Sequence, residues 1–203
     1  MTEAFDAKRC ALLIVDLQND FLAPDGAYVR GGAVSVAARA LPARIAPLAR
    51  SLKRRGGLVL ASRFTLWPDA RGEPMVAPQL RALRPFLRRG DFHPGTRGQA
   101  VVDELLPCVD VAVDKVAYSA FFNTQADWVL RHAGIEALVV CGIVTHGGVA
   151  STVRDAHVRE YRVSVLTDGC AAFDVQRHDT ALADMGSIAE LMNCGALAER
   201  LAT

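Results

Sequence analysis

The stretch ALVVCGI (137–143) is apolar at every position but its glycine, and it runs directly into VTHGG (144–148) and ASTVRDAH (150–157). A short, near-continuous apolar run is buried on both faces. The turn and helical stretch that follow supply the cover, which predicts a parallel strand followed by a helix. The same pattern recurs at 11–15, 58–61, 109–113 and 163–166, with a weaker run at 188–192. Helical stretches fill the intervals. Leu41, Ile45, Leu48 and Leu52 lie on one helical face, with Pro42 near the expected start, Gly56-Gly57 as the stop and Pro47 as a perturbation. Thr124 reads as the N-cap of a helix over 125–132 that Gly134 ends, and further helices are expected over 148–159 and 175–185. Strand and helix in alternation predict an α/β, doubly wound domain, and 203 residues leave little room for a second one.

One segment breaks the alternation. From 64 to 107 there is no strong strand, and prolines recur at 68, 74, 78, 85 and 94. So long an excursion is expected to be a lid or a subunit interface. Between Arg63 and Arg97 lie arginines 63, 71, 81, 84, 88, 89 and 97, against Asp69, Glu73 and Asp91. Such a surface is either a solvated basic face or an attractor for anions.

A net charge of +1 and 6% aromatic residues point to no nucleic-acid partner. No apolar run approaches membrane-spanning length, and MTEAFDAKRCALLIVDLQND lacks the form of a secretory leader, so a cytoplasmic location without a membrane partner is expected. The five cysteines (10, 108, 141, 170, 194) form no CxxC pair and read as reduced thiols.

Parallel strands share one C-terminal edge, where ligands bind. The residues predicted to end the strands are Asp16, Arg63, Lys115, the 142–148 turn and Asp168. An aspartate after a buried apolar run is costly unless paired, and Lys115 is the candidate partner. The glycine-rich turn offers backbone N–H groups to an oxyanion or carboxylate.

Three blocks, LLIVDLQNDF (12–21), DKVAYSAFF (114–122) and VVCGIVTHGGVASTVRDA (139–156), resemble in order and spacing the isochorismatase-like hydrolases, a group that includes nicotinamidases, other amidohydrolases and isochorismatases. The resemblance implies a three-layer α/β/α fold with a six-stranded parallel sheet. It implies Asp16 as the catalytic aspartate, Lys115 as the catalytic lysine, and Gly148 in the place of the cysteine nucleophile of the family's amidases. It further implies a cis peptide at 143–144 and amides of Val144 and Gly148 turned to the crevice. His146, with Gly148, resembles the turn of members that cleave isochorismate, some of which also carry glycine. Those members have a glutamine after the second strand, where this chain has Arg63 and Phe64; both, with Tyr118 of the second block, are candidate substrate contacts. Nicotinamidases carry a histidine-containing metal cluster after that strand. The corresponding SRFTLWPDARGEP (62–74) has no histidine, so no metal or other cofactor is expected.

With no nucleophile at 148, the expected reaction is hydrolysis of a small anionic molecule by Asp16 acting as general acid. The vinyl ether isochorismate is one candidate substrate. The alternatives are an amide or other C–N hydrolase that uses another nucleophile or activated water, and a catalytically silent ligand binder. A homo-oligomer is expected, its interface drawing on 64–107.

Overall fold

The structure, a computed structural model, describes residues 5–203; residues 1–4, which open the stretch read above for a leader, lie outside the described residues. Six strands form one parallel sheet: β1 (Cys10–Val15), β2 (Leu58–Phe64), β3 (Val111–Lys115), β4 (Ala137–Ile143), β5 (Arg162–Ala171) and β6 (Glu190–Met192). Their order is β3-β2-β1-β4-β5-β6. The chain winds outward from β1 in one direction and from β4 in the other. The crevice of such a sheet opens above the C-terminal ends of that central pair.

The helices are α1 (Asn19–Leu22), α2 (Ala27–Arg30), α3 (Val36–Arg54), α4 (Pro78–Leu83), α5 (Ala126–His132), α6 (Ala150–Val158), α7 (Val175–Met185) and α8 (Cys194–Arg200). Strand parity divides the core into two layers. Cys10, Leu12 and Ile14 of β1 pack with Leu41, Ile45, Leu48 and Leu52 of α3 and Leu197 of α8. Ala11, Leu13 and Val15 pack on the other face with Leu130 of α5, Val153 of α6 and Met185 of α7. Every β1 residue is buried, as the unbroken apolar run required. Truncating Leu13 or Ile14 to alanine should cost about 2–5 kcal/mol each.

Several boundaries differ from the sequence expectation. Ser35 caps α3 by accepting the Ala38 N–H at 3.2 Å, so the helix starts before Pro42, and both Pro42 and Pro47 lie inside it. The buried apolar face of α3 outweighs the two hydrogen bonds those prolines cannot donate. Strand β5 runs past Leu166 to Ala171, with a register irregularity against β4 between Val140 and Gly142. Asp168 therefore does not end a strand at the crevice. Its carboxylate accepts the Cys194 N–H at the head of α8, at 2.7 Å. Cys170 is a buried β5 residue that pairs with Gly142. Gly142 could be no other residue: its φ is +118°, and a Cβ there would sit 2.1 Å from the Val15 carbonyl oxygen.

Candidate active site

The turn after β1 carries the first functional side chain. Asp16 has φ +56°, a left-handed conformation that aspartate and asparagine tolerate better than most residues. The turn is held by Asp16 N–H donating to the Ser62 carbonyl at 3.2 Å and by Gln18 N–H donating to the Asp16 carbonyl at 2.9 Å. The buried carboxylate accepts from Ser62 Oγ at 2.8 Å and from Lys115 Nζ at 2.7 Å. Lys115, the last residue of β3, is also buried, and its ammonium donates to the Ala117 carbonyl at 3.0 Å. Those two bonds use two of its three protons. Burial pushes the Asp16 pKa above the usual carboxylate range, and Lys115 and Ser62 pull it back only in part.

Between β4 and α6 the chain makes a π turn over Thr145–Val149, entered through a cis peptide at Ile143-Val144. Its residue 148 faces the acid: a Cβ built on Gly148 would lie 3.3 Å from Asp16 Oδ2 and 3.1 Å from Val15 Cγ1. Thr152 Oγ1 of α6 donates to the Gly148 carbonyl at 2.7 Å and accepts the Ala120 N–H at 3.0 Å, tying this turn to the 116–122 loop.

Asp16, Lys115, Val144 and Gly148 line one crevice, with Phe64 at the end of β2 and Tyr118 at the mouth. It holds about 480 Å³ of empty space, part of it open to solvent. Two expected contacts are not brought there. Phe64 and its neighbour Arg63 point to opposite faces of β2, and Arg63 Nε pairs with Asp114 Oδ1 at 2.7 Å. His146 is exposed and is not among the crevice-lining residues; partial desolvation of its ring, with the charges of Arg177 and Arg84, lowers its pKa. Among the described residues no group of three or more His, Cys, Asp or Glu is placed to hold a metal ion.

Sequence reasoning missed other residues of the site. Phe21, Tyr28, Leu80 and Arg84 complete the crevice, the last two from the excursion. The rest of the DLQNDF block holds that excursion down. Gln18 brackets the Phe64 backbone, accepting its N–H at 2.7 Å and donating to its carbonyl at 2.9 Å. Asn19 Nδ2 donates to the Arg97 carbonyl at 2.9 Å, and buried Asp20 accepts the Phe92 N–H at 2.6 Å. Three buried polar side chains directly after Asp16 were the available signal, since such groups need partners.

A strand-end Asp–Lys pair facing a π turn at the switch point of this sheet is the arrangement the motif blocks implied, and the isochorismatase domain family matches residues 10–194. The chain belongs to the isochorismatase family. As a member it is a hydrolase. It is 35% identical over 176 residues to the ureidoacrylate amidohydrolase RutB of Methylorubrum extorquens, covering 81% of this chain and 71% of the relative. Among solved structures, a cysteine hydrolase from Pseudomonas syringae pv. phaseolicola superposes with a TM-score of 0.84 at 25% identity, over 100% of this chain and 99% of that one. The N-carbamoylsarcosine amidase of Thermoplasma acidophilum gives a TM-score of 0.70 at 26% identity, over 92% of this chain and 96% of that one. Among the described residues, no helix of this family member is long and apolar enough to cross a membrane.

Proposed function

We propose that this chain hydrolyses a small anionic substrate without a covalent enzyme intermediate, using Asp16 as general acid and Lys115 as its partner. Position 148 carries the argument. A side chain there would face the Asp16 carboxylate, and the residue is glycine. In the family's amidases this place resembles that of the cysteine nucleophile; glycine supplies no nucleophile and leaves the space to the substrate. The cysteines offer no substitute. All five are buried and none lines the crevice. Burial pushes the Cys10 and Cys194 thiols up to about 12, far from the thiolate a nucleophile requires.

On the crevice floor, burial favours the protonated form of Asp16, the form that can act as an acid. With a vinyl ether such as isochorismate, that proton goes to the terminal methylene carbon and leaves an oxocarbenium ion. Water adds to the cation and returns a proton to Asp16. The hemiketal then collapses to pyruvate and the free alcohol. The third proton of Lys115 would hold a substrate oxygen or the incoming water, and the amides of Val144 and Gly148 would bind a substrate oxygen.

A second reading, hydrolysis of an amide or ureide by activated water at the same pair, is favoured by the similarity to RutB and to N-carbamoylsarcosine amidase. A panel of isochorismate, small carboxylated amides and ureides separates the two: pyruvate release marks the first and ammonia release the second. Asp16→Asn serves as the control in each. A wild-type chain that releases neither product across the panel would overturn both.

A further inference from the structure

Of the arginines in the excursion, only Arg84 lines the crevice among the described residues. It follows α4, is half-buried, and donates from Nε to Tyr28 Oη at 2.5 Å. Tyr28 is itself fixed by its neighbours, stacked on Phe173 with centroids 5.4 Å apart and edge-on to Phe86 at 5.1 Å. The Tyr118 phenol acts on the same guanidinium. Arg63 near the end of β2, and Arg71 and Arg97 of the excursion, each face a carboxylate, whereas no carboxylate pairs with Arg84 among the described residues. The bond to Tyr28 uses one of its five N–H donors, and with Tyr118 engaging the guanidinium as well, the remaining donors can still meet a carboxylate. A cation held partly out of water, without a counter-ion, favours the arrival of an anion.

The rest of the crevice fits that arrival. Asp16 and Lys115 form its floor, and Phe21, Phe64, Leu80 and Val116 contribute apolar walls. We propose that Arg84 selects the substrate: a small carboxylic acid whose carboxylate takes N–H donors that Tyr28 and Tyr118 leave on the guanidinium, with an apolar segment along the walls and the bond to be cleaved at Asp16. This inference rests on the acid-catalysis reading only for which end of the molecule faces Asp16. Tyr28 is a positioning residue, aiming the guanidinium through Nε.

The test compares benzoate with benzyl alcohol, probes of similar shape and different charge, by titration calorimetry. Wild type should prefer benzoate tenfold or more. Arg84→Gln should abolish that preference with benzyl alcohol unchanged, and Arg84→Lys should reduce it severalfold, because an ammonium lacks the planar fork. Tyr28→Phe, which keeps the ring, should weaken it by releasing the guanidinium. Asp16→Asn should retain the preference, so failure of the acid-catalysis reading shows separately, as retained turnover in that variant. A benzoate preference that survives in Arg84→Gln, or that disappears only in Lys115→Met, overturns the proposal. Should Arg84→Gln not fold, an unchanged preference in both Arg84→Lys and Tyr28→Phe overturns it equally.

Discussion

Asp16→Asn tests the site with the least collateral change. The left-handed backbone at φ +56° suits asparagine, whereas a residue such as alanine would add about 1–2 kcal/mol of backbone cost. The amide can place its oxygen toward Lys115 and its NH₂ toward Ser62, whose hydroxyl turns to accept. Both short contacts, 2.7 Å and 2.8 Å, then keep a donor and an acceptor. What is lost is the negative charge that pairs with Lys115 when Asp16 is ionised, and the transferable proton when it is protonated. The first should lower stability by about 1.5–3 kcal/mol, or several degrees in Tm for a domain of this size. The second should lower turnover by about 10²–10⁴-fold, equivalent to about 3–5 kcal/mol of barrier at 1.36 kcal/mol per decade. The acid must be protonated to act, so wild-type turnover should fall as pH rises through the Asp16 pKa. Stability should fall over the same window. With the folded pKa raised, the native chain holds more protons than the unfolded one between the two values, and the stability so gained is lost as pH rises through the folded pKa. Steady-state kinetics and thermal melts across pH, on the substrate the panel identifies, measure both. An Asp16→Asn variant within threefold of wild-type turnover would refute the reasoning, as would a turnover that climbs with pH.

Three further outcomes follow from the geometry. Gly148→Ala puts a methyl group 3.1 Å from the Ile143 carbonyl oxygen and from Val15 Cγ1, which should cost about 1 kcal/mol in urea titrations after the gain from a stiffer unfolded chain, and should cut turnover by filling the space before Asp16. Iodoacetamide should modify none of the buried cysteines in the native state and leave turnover intact; mass spectrometry that placed a label on Cys141 or Cys170 with loss of activity would count against the nucleophile-free route. Light scattering at micromolar concentration should show a homo-oligomer whose interface uses the exposed Trp67, Met75 and Leu83 of the excursion, and a monomer alone would count against it.

What could be read from the sequence was whatever depends on burial along a single segment. The run at 137–143 is β4 to the residue, and α7 occupies 175–185 as expected, because complete burial of a strand and the capping of a helix leave local marks in composition. Asp16 and Lys115 were legible as candidates because a charge beside a buried run requires a partner, and the motif blocks pointed to the same two positions. Tertiary structure decided the rest. Strand parity sent Phe64 into the crevice and Arg63 to Asp114, and parity cannot be read where β2 ends in mixed residues. Strand β5 continued beyond its apolar run by pairing Cys170 and Ala171 with Gly142 and Ile143 of β4, and Asp168 met the N–H of Cys194, a partner 26 residues away in sequence. Which of seven arginines reaches the substrate space depends on how Gln18, Asn19 and Asp20 pin the excursion and where Tyr28 waits for Arg84. Those are contacts between segments far apart in the chain, made by polar groups whose partners no periodicity announces.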